Sequence, residues 1–156
     1  MPLVLTTIQN ELTKFMDNQS PAFVGYPSSV SDVANAWADA VDTYASVVVP
    51  ISTTSSAART AFYSTMLGMN TTAMNGFAVI KAAFMAYATA LAGGMTGAGF
   101  VGTPPPTLIP IETIVSLGMS GTPNSVIVST LAGIIDVWFR TGLAVQISSG
   151  VTINWN

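Results

Sequence analysis

Across residues 122–156 the spacing of apolar side chains changes from a helical to an extended period, which excludes both a purely helical bundle and a pure sheet protein. Ile127, Leu131, Ile134, Ile135 and Trp138 recur on one helix face, while Ser129, Asp136 and Arg140 fall on the other side. Thr122 stands before Pro123, a residue that suits the first helical position, so Thr122 reads as the N-cap and Gly142 as a left-handed stop. From Leu143 the period is two: Leu143, Val145 and Ile147, a break at residues 148–150, then Val151, Ile153 and Trp155. That is the pattern of a hairpin. A lone two-stranded hairpin is marginally stable in water and needs a partner surface. The expectation is therefore a ribbon that completes itself against a second chain. On that view, deleting residues 143–156 leaves the helical remainder folded but unable to assemble.

The preceding residues read mainly as helices. Residues 3–17 place Leu5, Ile8, Leu12, Phe15 and Met16 on one face and Glu11, Lys14 and Asp17 mostly on the other. A second helix starts near Ser29 or Ser31, where Ser29 and Asp32 have capping-box spacing, and carries the stripe Val33, Trp37, Val41, Tyr44, Val48. Asp32, Asp39 and Asp42 share its opposite face, where a solvated surface is expected rather than a site for a hard cation. Ala58, Phe62, Met66 and Met69 mark a third helix, and Phe77, Ile80, Phe84, Tyr87, Ala88 and Leu91 a fourth over residues 73–92. Its alanines allow close approach of a neighbour. Residues 93–110, with five glycines and four prolines, read as an exposed, semi-rigid arm anchored by Phe100 and Val101. Gly97, Gly99 and Gly102 have dinucleotide-loop spacing, but a helix precedes them and Pro104, Pro105 and Pro106 follow, the wrong context for a pyrophosphate cradle. Residues 110–119 fit either a short helix or a strand.

Only 7% of the 156 residues are charged, against about 25% in ordinary soluble domains. With 15 Ser and 19 Thr, hydroxyls can supply the missing polar surface. A net charge of −3 with four basic residues is too poor in cations to neutralise phosphates, so no direct nucleic-acid partner is expected. Residues 1–9 are uncharged, without the basic start of a secretory signal, and the absence of cysteine fits either redox compartment. Mean hydropathy is high, at +0.57, and residues 82–102 carry no charge. Five glycines, a following run of prolines and no flanking Lys or Arg cluster argue against a membrane span there.

Without His or Cys there can be no Ser-His-Asp triad, thiolate nucleophile or ordinary zinc site. No glycine loop ends in Lys and Ser or Thr, and residues 118–121 miss the spacing of a nucleophile elbow. The expectation is a protein that is not an enzyme and uses no cofactor or metal. The tripeptides beginning at Asn18 and Asn70 match the glycosylation pattern, a frequent chance match.

Taken whole, the chain resembles small virion structural proteins of tailed bacteriophages, especially contractile-tailed phages of marine or freshwater bacteria. The likeness lies in residues 6–12, the alanine-rich helix, the Pro104–Pro106 segment and the close running from residues 138–142 into 151–156. It implies a non-enzymatic, repeated subunit, assembled in the host cytoplasm into a particle, with other virion proteins and copies of itself as partners. The expected architecture is one mainly α domain over residues 1–156, a bundle of about five helices with a C-terminal β-hairpin. Its parts are a helical region at 1–92, the arm at 93–110, a helix at 122–142 and the hairpin at 143–156. Residues expected at the interface are Phe100, Val101, Pro104, Pro105, Pro106, Trp138, Val145, Ile147, Val151, Ile153 and Trp155. Two rival readings stand beside it: a membrane-inserting protein using residues 73–102 and 123–139, and a module binding a small ligand in an apolar pocket.

Overall fold

The computed structural model describes residues 2–70 and 75–156. The start of the fourth expected helix at 73–74, and most of the Asn70 tripeptide, lie outside the described residues. The chain is mainly α-helical with a small antiparallel sheet. Its elements are α1 (Leu5–Met16), α2 (Val30–Ala45), α3 (Ser55–Met66), α4 (Gly76–Gly94), a 3-10 turn (Met95–Ala98), β1 (Phe100–Thr103), α5 (Glu112–Met119), α6 (Asn124–Phe139), β2 (Leu143–Gln146) and β3 (Thr152–Asn154). The ambiguous segment 110–119 is thus largely helix.

Helix α1 packs on α2 and α6, α2 on α3, and α3 on α4. Phe84 of α4 closes this ring at its centre. Its ring meets Trp37 of α2, Phe62 of α3, and Trp138 and Phe139 of α6 edge-on, at centroid distances of 5.2–6.3 Å. Edge-on pairs of this kind each add about 0.5–1.5 kcal/mol to what burial alone supplies. Of the expected stripe, Trp37, Val41 and Tyr44 are buried on α2 with Ala34, Ala38 and Ala45 beside them, Val33 is half-buried, and Val48 is buried just past the end of the helix. Ser29 caps this helix by accepting the Asp32 N–H at 3.1 Å.

Three expectations about α6 need correction. Its N-cap is Pro123, whose carbonyl accepts from the Ile127 N–H, so Thr122 lies outside the helix. Its buried face is Val128, Leu131, Ala132, Ile135, Trp138 and Phe139, rotated from the expected stripe so that Ile127 and Ile134 are only half-buried. Asp136 and Arg140 are not on a solvated side. Asp136 accepts the Tyr44 hydroxyl at 2.6 Å and two Arg140 hydrogen bonds, and Arg140 also reaches Leu3 O at 2.7 Å and Asn156 Oδ1 at 2.8 Å. One guanidinium therefore joins both ends of the described chain to α6.

Gly142 is no left-handed stop either, since positive φ angles fall at Gly25, Gly99, Gly121 and Gly150. A Cβ at Gly142 would lie 2.7 Å from Cε2 of Trp155, so the position is glycine to let the indole lie flat against the backbone. At Gly150 the positive φ is required by the hairpin turn, where Gly150 N–H donates to Gln146 O and Gln146 N–H to Val151 O.

The arm does not exist as one. Residues 93–110 fold back onto the bundle, with Met95 and Ile109 fully buried, Pro105 buried and β1 paired to β2. Apolar anchors at Met95 and Ile109, one on each side of the strand, outweigh the extended tendency of the three prolines between them.

Candidate interface on the C-terminal sheet

The sheet order is β1-β2-β3, all antiparallel. The hairpin therefore has a third strand from its own chain. Its far end is held too: Asn156 and Val49 exchange both backbone hydrogen bonds, at 2.7 and 3.1 Å, and Trp155, 1% exposed, packs in parallel on Phe139. The expectation of a ribbon without companions in its own molecule is thus overturned. β1 and β3 are both edge strands, and on β3 the ladder turns the backbone groups of Thr152 and Asn154 outward.

The pleat assigns the faces. Gly102, Ala144 and Ile153 form one cross-strand row. Ala144 is fully buried, Ile153 packs on the core, and a Cβ on Gly102 would come within 2.6 Å of Ala92 O. This row is the inner one, and the last turn of α4 lies so close behind it that β1 and β2 can place only Gly and Ala there. The neighbouring rows, Val101 with Val145 and Thr152, and Thr103 with Leu143 and Asn154, must face outward. The Ile147 N–H donates to Gly99 O at 2.9 Å, extending the β1–β2 ladder by one pair and putting Ile147 on the same outer face. Val101 is 52% exposed, Leu143 38% and Ile147 62%, with Val145 half-buried between them. The larger residues of β2 thus lie on the outside of the sheet.

Of the eleven residues expected at an interface, Val101, Val145 and Ile147 share this outer face, and Val151 is exposed at the hairpin turn. Trp138 and Trp155 are not available to a neighbour. Both are core residues whose indole N–H groups donate within the chain, to Thr107 O at 2.7 Å and Leu143 O at 3.0 Å. Phe100 and Ile153 pack against the core, Pro105 is buried, Pro104 is half-buried and Pro106 is exposed. Leu143, two residues before Val145 and on the same face, was not among the expected interface residues.

Elsewhere the carboxylates of α2 each have a partner within the chain. Asp39 pairs with Arg59 at 2.5 Å, Asp42 accepts the Tyr87 hydroxyl at 2.8 Å, and Asp32 accepts the Ser28 hydroxyl at 2.8 Å, so the three carboxylates of α2 turn to different partners. Among the described residues no three His, Cys, Asp or Glu side chains come together as a metal would require. Burial, helped by the adjacent carboxylates, pushes the phenols of Tyr44 and Tyr87 well above the ordinary tyrosine range. Among the described residues, open troughs include one of about 500 Å³ along α6, lined by Ile134, Val137 and Trp138, and one of about 470 Å³ between α1, α2 and the loop joining them.

No protein-family model, curated protein or solved structure matches this chain.

Proposed function

We propose that the protein is a non-enzymatic structural subunit of a bacteriophage particle, joining neighbouring subunits through the outer face of its small sheet. The observation that carries this reading is the contiguous apolar surface of Val101, Leu143, Val145 and Ile147, held on a three-stranded sheet built from this chain alone. A face of this kind is a natural interface core, since charge is depleted where subunits meet and apolar area drives their association. Low overall charge acts in the same direction, because few ions have to be desolvated as two copies approach. The joint is therefore a face-to-face contact rather than strand addition along a free edge, and the edge of Thr152 and Asn154 contributes at its margin. The wider family likeness, to virion proteins of tailed phages, supplies the setting.

Size measurement by light scattering on the intact chain, alone and with the other particle proteins, is the direct test. The intact chain is expected to form oligomers, and V101T/V145T/I147T to remain folded but monomeric. An intact chain that stays monomeric in both settings, and is absent from purified particles by mass spectrometry, would overturn the proposal.

One observation favours the membrane rival. The stretch Gly76–Ala98 is 23 residues long with a mean hydropathy of 1.4, long and apolar enough to cross a bilayer. Insertion would, however, withdraw Phe84, Tyr87, Leu91 and Met95 from the core they complete, and α6 at 16 residues is short for a second span. Co-sedimentation with phospholipid vesicles distinguishes the two readings, with the protein expected in the supernatant.

A further inference from the structure

The chain has four basic side chains and seven acidic ones. Each basic side chain is committed to one acid: Lys14 to Glu11, Arg59 to Asp39, Lys81 to Glu112 and Arg140 to Asp136. Subtracting four pairs from seven acids leaves Asp17, Asp32 and Asp42, which account for the net charge of −3. Asp17 is buried at the end of α1 and accepts the Gln19 N–H, and Asp42 accepts the buried phenol of Tyr87. Asp32 differs from both. It is exposed, and the Ser28 and Ser29 hydroxyls that surround it lower its pKa and so keep it ionised without neutralising it.

Asp32 lies on the wall of the trough of about 470 Å³ between α1 and α2. Phe15, Tyr26 and Pro27 give that trough its apolar surface. Its other charged groups are the Glu11–Lys14 pair and Asp39, the last already matched by Arg59, so the uncompensated charge of the trough is that of Asp32. The loop wall is preformed. The Val24 N–H donates to Lys14 O at 2.7 Å, and the Tyr26 ring meets Phe23 edge-on at 4.9 Å while remaining 61% exposed. An exposed aromatic held in place in the same trough as a carboxylate without an ionic partner suits one chemistry above others, a cation whose stem is apolar.

We propose that this trough binds an organic cation, a guanidinium or ammonium group carried on a short alkyl chain. The aromatic and proline surface takes the stem, and Asp32 takes the charge. A second copy of this chain does not supply a side chain for it, because all four of its own Lys and Arg are already paired. The ligand is then a free polyamine or guanidine, or a Lys or Arg side chain of a different protein. None of the trough residues belongs to the sheet face, so this site stands or falls separately from the assembly reading.

The test is a titration of the isotopically labelled full chain with butylguanidinium, followed by amide chemical shifts. Saturable shifts are expected at Phe15, Val24, Tyr26 and Asp32, weaker at high salt and absent with neutral butylurea. D32N and Y26A, each shown folded by its dispersed spectrum, are expected to weaken binding about fivefold or more. Spermidine binding more tightly than a blocked arginine amide assigns the site to a free polyamine, and the reverse order assigns it to a partner's side chain. No saturable shift at about 10 mM ligand, equal binding of butylurea, or an unchanged D32N would each overturn the proposal.

Discussion

Tyr44 and Tyr87 bury their rings in the helical core and extend their hydroxyls to Asp136 and Asp42. Both folded-state pKa values are raised above the ordinary value of about 10, so both phenols stay protonated in the folded chain at a pH where an unfolded chain loses their protons. The sign follows directly. Their contribution to stability is complete below about pH 10 and declines as the pH rises from there towards the folded-state values. Each phenol adds a slope of about 1.4 kcal/mol per pH unit in that window. Urea unfolding followed between pH 9 and 11 is expected to reveal this decline, and Y44F/Y87F to have a visibly shallower one. Equal slopes in the two proteins would contradict the placement of these hydroxyls. Neither hydroxyl's partner was legible in the sequence, because Asp136 and Asp42 lie 92 and 45 residues away. Helical periodicity could place the rings in the core, as it did, but it carries no information on which polar group meets them there.

At the scale of elements, the sequence located the helices well and the sheet only by half. The period of two in residues 143–155 correctly gave a hairpin, but it could not say which side of the sheet Leu143, Val145 and Ile147 would take. Alternation fixes which residues share a face of a strand; what stands behind the sheet fixes which face is inner. Here the α4 backbone at Ala92 is so close that Gly102 and Ala144 line the inner side of β1 and β2, while Ile153 and Trp155 fill the inner side where β3 passes the bundle. The missing strand, β1, was concealed in a segment whose glycines and prolines read as an arm. The role of the hairpin changes accordingly. Deleting residues 143–156 removes Trp155 and Ala144 from the core, the Asn156 contact to Arg140 and β2, the strand that pairs with β1. Loss of the indole alone is a core truncation of about 3–5 kcal/mol, a large part of the total stability of a domain this size. The truncated chain is therefore expected to lose its cooperative thermal transition by circular dichroism, where the sequence had suggested that it would keep it.

Across the whole molecule, the scarcity of charge determines how the fold is held. Three of the four basic residues sit in simple ion pairs with at least one exposed or half-exposed partner, pairs that contribute about 0–1 kcal/mol each, and Arg140 alone belongs to a wider network with Asp136, Leu3 and Asn156. Stability must therefore reside in the aromatic core around Phe84 and in backbone pairing. Raising NaCl from 0.05 to 0.5 M screens surface pairs and leaves burial in place, so the thermal midpoint is expected to move by no more than about 4 °C. A drop well beyond that would mean that the ion pairs matter more than burial does. The sequence alone determined the mainly helical class, the terminal hairpin, most of the buried stripes and the lack of His or Cys chemistry, because all of these follow from local period and composition. Only the tertiary structure decided that Trp138 and Trp155 belong to the core, that residues 100–103 complete the sheet, and that its apolar side faces outward. Those outcomes depend on which segments distant in the chain come to lie against one another, and the space they leave is a property of the packed whole.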